Sequence, residues 1–86
     1  ISPFLNGSEL IDMIPSDQEE AVGILVKELS EDSYAHRIGF REGDIIFGVN
    51  QTRVRNIAQL KQYLAQRNIQ AFRIRREYED LIVYVR

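Results

Sequence analysis

The stretch IGFREGDIIFGVN, residues 38–50, limits the fold more than any other part of the chain. It crowds Gly39, Gly43 and Gly48 together and leads from Asp44 into an apolar run. Gly39 stands where a short helix ends in the left-handed conformation, which glycine adopts without a Cβ penalty. Gly43 and Asp44 make a turn, and residues 45–50 read as a buried strand. A helix, a turn and a core strand must therefore follow one another almost without a linker. A phosphate cradle does not fit: the stretch is not G-x-x-x-x-G-K-S/T, and no G-x-G-x-x-G opens a helix here.

The flanking segments extend this order. Residues 1–7, ISPFLNG, carry Pro3 and Asn6-Gly7 and read as a linker remnant. Residues 8–86 read as a single domain. SELIDMI (8–14) suits a short strand, and PSDQEE (15–20) a polar loop. AVGILVKEL (21–29) is a strand in which Val22, Ile24 and Val26 share a face. SEDSYAHRIGF (30–40) holds the short helix, with Ser30 or Ser33 as its N-cap. NQTR (50–53) is a turn. NIAQLKQYLAQ (56–66) is the clearest helix, with Asn56 as N-cap and Gln59 completing a capping-box pattern. Ile57, Leu60 and Leu64 form its apolar stripe, and Lys61 lies beside it. Residues 69–76 and 80–86 read as an antiparallel pair around EYE, with Ala71, Phe72, Ile74, Leu81, Val83 and Val85 as core candidates. The fold class is α+β: a small, largely antiparallel sheet or partly open barrel with one short and one longer helix.

With 86 residues there is room for one core. A net charge of −2 gives no electrostatic reason to expect nucleic acid. Arg73, Arg75 and Arg76 sit in an alternating segment, which places them on the solvent side of a strand. The absence of cysteine excludes disulfides and thiolate metal sites. No apolar run reaches the roughly 20 residues a membrane helix needs. The chain begins at Ile1 without an initiator Met, which suggests a piece of a longer protein.

Catalysis has little support in the residues. His36 is the one histidine. Ser30, Ser33, Asp32 and Asp44 lie near it in sequence, but no nucleophile elbow surrounds either serine. A half-buried helix histidine is the simpler reading. SEDS (30–33) and REGD (41–44) are acidic without the alternating oxygen ligands of a calcium loop. No catalytic residue, metal or cofactor is expected. A binding surface remains. Val22-Gly23-Ile24 opens a strand after a polar loop, and its amides would suit a terminal carboxylate. If the strand has a free side, an extended peptide adds to it, with the 57–65 helix as the opposite wall. The alternative is that Val22, Ile24 and Val26 are only core.

The order of motifs from about Val22 to Arg86 resembles a bacterial PDZ domain. Ile38-Gly39-Phe40 stands for A-G-L, Gly43-Asp44-Ile45-Ile46 matches G-D-x-I, and Val49-Asn50-Gln51 stands for V-N-G. LNGSEL, GVNQTRVRNIAQLKQYLA and IRREYEDLIVYVR resemble the second, C-terminal PDZ domain of DegP/DegQ-type HtrA serine proteases. The departures are Tyr34 for a proline, His36 for an alanine, Gln51 for a glycine that is frequent there, and REYED for a glycine-containing turn.

The resemblance implies a non-catalytic interaction domain in a periplasmic serine endopeptidase. It would contribute to oligomer assembly and recognise peptide C-termini or unfolded substrate. Its partners would be protein or peptide C-termini and neighbouring domains of the same oligomer, without membrane insertion. It also implies a carboxylate loop at Val22, Gly23 and Ile24, Val26 on the groove strand, and Ile57, Lys61 and Leu64 on the groove helix. Lys61 departs from an apolar wall: it suits either an acidic peptide or a groove that is not used for peptides. Replacing Ile24 with a charged residue is expected to remove peptide binding and spare the fold. The alternative parent is a secretion-system adaptor or a membrane protease.

Overall fold

A computed structural model of the protein describes residues 8–65 and 68–85. The expected linker at residues 1–7 lies outside the described residues. The elements run β1 (Glu9–Met13), β2 (Gly23–Glu28), α1 (Tyr34–Ile38), β3 (Ile45–Val49), β4 (Thr52–Arg53), α2 (Ile57–Leu64), β5 (Ala71–Arg76) and β6 (Glu79–Tyr84). The strands form one open antiparallel sheet in the order β1-β2-β3-β5-β6, with β4 paired to β3. β1 and β6 are its edges. The α+β class holds.

Strand alternation divides the sheet into two faces. Asp12, Ile24, Ile46, Ile74 and Leu81 are successive cross-strand partners and form one row on the core face. Ile11, Leu25, Ile45, Arg75 and Asp80 form the adjacent row on the outer face. Leu60 of α2, Ala35 of α1, Val26, Leu29, Phe40, Val49, Val54, Phe72 and Val83 complete the core. The rings of Phe40 and Phe72 meet edge to face, with centroids 5.3 Å apart. Of the final hairpin, Phe72, Ile74 and Val83 are buried, while Ala71, Leu81 and Val85 are half-buried. Ala71 follows the outer face because it is out of phase with Phe72.

Local chemistry explains both helices. Ser33, rather than Ser30, caps α1: its Oγ accepts from His36 N at 3.1 Å and donates to Ser30 O at 2.7 Å. Tyr34 occupies the first helical position without disturbing this start. Gly39 ends α1 with φ of 123°. At α2, Asn56 Oδ1 accepts from Gln59 N at 2.8 Å, and Gln59 Oε1 accepts from Arg55 N at 2.8 Å.

The turns that lack the expected glycines place the strain on other residues. Positive φ falls at Asn50 (55°), not at Gln51, and in the β5–β6 turn at Glu77 (58°). Asn50 tolerates this region and is also tied down. Its Oδ1 accepts from Gln70 N at 2.8 Å, and its Nδ2 donates to Asn68 O at 3.1 Å. Arg73 and Arg75 face solvent as expected, but Arg76 does not. It turns inward to Asp44, which is fully buried.

Candidate functional site

The expected carboxylate loop needs correction first. Strand addition at Val22–Val26 requires β2 to have a free side, yet β1 pairs with it on one side and β3 on the other. The N–H of Val22 already donates to Met13 O at 2.8 Å, and its carbonyl accepts from Arg53 Nη2 at 3.0 Å. Ile24 and Val26 are core residues, 0% and 2% exposed. Gly23 serves close packing: a Cβ there would lie 2.9 Å from Ile45 Cγ2 and 3.2 Å from Ile46 O. These residues build the floor of the domain and offer no open amides.

The free side belongs to β1. Its outer edge lacks a strand partner among the described residues. α2 packs along this part of the sheet, so an edge strand and a helix form two walls. Leu10 is half-buried against the core. Asp12 Oδ1 accepts the N–H of Ile57, the first residue of α2, at 2.7 Å. Ser8, Leu10 and Asp12 share the helix-facing side by alternation. Ser8 Oγ is buried and has no hydrogen-bond partner among the described residues.

On the helix, Ile57, Lys61 and Leu64 follow one another at the i, i+4, i+7 spacing of a single stripe. Ile57 and Leu64 are half-buried and pack on the core, while Lys61 is exposed. The helix wall is therefore apolar at both ends and cationic between them. The sequence expectation names these three helix residues but not Asp12, Leu10 or Ser8. SELIDMI is recognisable as a strand, and an acidic residue inside it was the available signal.

Asp44 of the Gly43-Asp44 motif has a structural role. Its Oδ1 accepts from Arg76 Nε at 2.8 Å, and its Oδ2 accepts from Arg76 Nη2 at 2.9 Å and from Arg41 N at 2.8 Å. Arg76 Nη2 also reaches Gly39 O at 2.7 Å. Hydrogen bonding to Asp44 raises the pKa of Arg76, so the guanidinium stays charged. Ser33 Oγ is committed to its cap, and His36 O accepts from Arg41 Nη1 at 3.1 Å. No group of three or more potential metal ligands occurs among the described residues.

Comparison with known proteins agrees with this architecture. A family model described as PDZ domain matches residues 25–75. The mitochondrial serine protease HTRA2 of Bos taurus is 35% identical over 71 residues, 83% of this chain and 16% of that protein. The periplasmic serine endoprotease DegP of Escherichia coli (strain K12) is 36% identical over 63 residues, 73% of this chain and 13% of that one. The periplasmic pH-dependent serine endoprotease DegQ of the same strain is 34% identical over 87 residues, 100% of this chain and 19% of that one. This chain thus spans less than a fifth of each relative. Among solved structures, the HtrA3 PDZ domain bound to a phage-derived ligand (FGRWV) superposes with a TM-score of 0.78 at 26% identity. That match covers 92% of this chain and 79% of the other. With its sheet order, its two helices and the matched segment from β2 to β5, the chain belongs to the PDZ domain family, and its relatives are proteases of the HtrA type.

Proposed function

We propose that the domain binds the C-terminal end of a peptide or unfolded polypeptide by adding it as a strand to the free edge of β1. α2 forms the opposite wall. The observation that carries this reading is the edge of β1 beside α2, which has no strand partner among the described residues. Backbone groups on such an edge supply affinity, and side-chain pockets supply selectivity. Ile57 and Leu64 offer apolar contacts, and Lys61 favours an acidic side chain on the ligand. The peptide bound to the HtrA3 neighbour supports the ligand class. In this proposal the parent is a Deg-type periplasmic serine endopeptidase, and the module presents substrate to a catalytic domain elsewhere in that chain.

Peptide titration monitored by amide chemical shifts tests the reading. A pentapeptide with an apolar, free C-terminus should shift residues 10–13 and 57–64, and its C-terminal amide should bind more weakly. Binding will be weak, because a short peptide has few anchors and loses entropy on ordering. If residues 10–13 stay unmoved while another surface shifts, the groove is misplaced.

A contribution to oligomer assembly is a second reading, favoured by the apolar side chains on the outer sheet face. Ile82 and Tyr84 on edge strand β6 are 48% and 62% exposed, and Ile11 on β1 adds to them. Light scattering across a concentration series tests it. A monomer at every concentration would set self-association aside.

A further inference from the structure

We infer that Asp12 is a positioning residue of the peptide groove: its carboxylate fixes edge strand β1 to the N-terminus of α2 and so sets the spacing of the two walls. This rests on the groove reading above. Asp12 Oδ1 to Ile57 N, at 2.7 Å, is the one side-chain hydrogen bond between β1 and α2 among the described residues. It links positions 45 residues apart in sequence. Leu10 packs on the core, and the backbone ladder of β1 lies on the far side. β2 pairs with it there, and even that ladder shifts register between Glu9 and Leu10. The outer edge, where a ligand strand would lie, has no strand partner among the described residues.

The donor is as informative as the acceptor. The first N–H groups of a helix lack partners within the helix, and they carry its positive end. Asn56 satisfies Gln59 N within α2, whereas Ile57 N is satisfied only from across the groove. Ile57 also begins the apolar side of the helix wall. A carboxylate on the strand and the first amide of the helix are thus joined at one end of the groove. A ligand strand must match a separation fixed there before it arrives. Without Asp12, ordering the walls would be charged against the binding step.

The test compares variants of the 86-residue chain with a pentapeptide bearing an apolar free C-terminus, by calorimetry and amide exchange. Asp12→Ala should weaken binding by at least ~10-fold, as loss of a hydrogen bond to a charged group implies. It should also speed amide exchange in β1 while β5 stays protected. Asp12→Asn keeps an oxygen acceptor and should recover affinity to within ~3-fold of the unmodified chain. Asn50→Ala loses hydrogen bonds to residues 68, 70 and 71, none of them in β1 or α2. It should lower stability without changing affinity, which separates positioning from general destabilisation. Should Asp12→Ala not fold, Asp12→Ser, too short to reach Ile57 N, gives the same readout. Unchanged affinity in Asp12→Ala or Asp12→Ser, with the unmodified chain binding, overturns this inference alone. No shift at residues 10–13 in the unmodified chain removes the groove reading and this inference with it.

Discussion

Arg76 grips Asp44 at two points, Nε to Oδ1 at 2.8 Å and Nη2 to Oδ2 at 2.9 Å, and carries the end of β5 back to the turn before β3. The carboxylate is fully buried, while the guanidinium side chain keeps 37% of its surface in solvent. Breaking the pair from the arginine side leaves a buried charge held only by Arg41 N. Arg76→Ala should therefore destabilise the domain by about 2–4 kcal/mol, below the fully buried limit because water reaches the arginine. Urea unfolding measures this, and a loss under about 0.5 kcal/mol, the level of an ordinary surface substitution, would show that water replaces Arg76.

The core position of Ile24 reverses the expected outcome of a charge there. Ile24 lies between Asp12 and Ile46 in the core row and is fully buried. Ile24→Asp should cost more than about 4 kcal/mol and abolish folding, not merely ligand binding. Circular dichroism decides it: a folded Ile24→Asp domain would contradict this packing.

Gly39 isolates a backbone effect. Its φ is 123°, and an added Cβ would meet only Val83 Cγ1, at an ordinary 3.9 Å. The cost of substitution is therefore conformational. Gly39→Ala and Gly39→Val should each lose more than ~1 kcal/mol, because any Cβ is strained at this φ. An unchanged melting temperature in Gly39→Ala would argue against this origin.

The exposed pair Arg75–Asp80, at 2.8 Å, predicts a small acid-sensitive increment. The hydrogen bond from Arg75 lowers the Asp80 pKa, with further help from the charges of Arg75 and Arg73. A lowered folded-state pKa means the increment is present above the ordinary carboxylate range. It disappears as pH falls through the lowered value. The melting-temperature gap between the unmodified chain and Asp80→Asn should be small at pH 7, shrink with salt and close on acidification. A gap that widens in acid would reverse the assignment.

The helix beside β1 was legible in the sequence, and the edge position of β1 was not. The helix itself follows from apolar spacing and the Asn56 cap, whereas Ile57, Lys61 and Leu64 as a groove wall came from the PDZ resemblance. The expectation of a free side at Val22–Val26 came from treating an apolar segment as an edge, whereas β2 is paired on both sides. A continuous apolar strand is better suited to the interior, where neighbours pair on both sides. Asp12, within the weaker pattern ELIDM, occupies the actual edge.

What the sequence determined by itself was local: the cap at Asn56, the helix end at Gly39, the turn at Gly43-Asp44 and the alternation of β5. Each depends on groups a few residues apart, so the chain carries its own cause. Only the tertiary structure decided that β1 rather than β2 has the free side, that Arg76 turns inward to Asp44, and that Asp12 meets Ile57. These depend on which strands lie next to each other and on hydrogen bonds between segments 32 and 45 residues apart. Strand order is a property of the assembled sheet, because a backbone edge offers the same donors and acceptors whatever residues it carries.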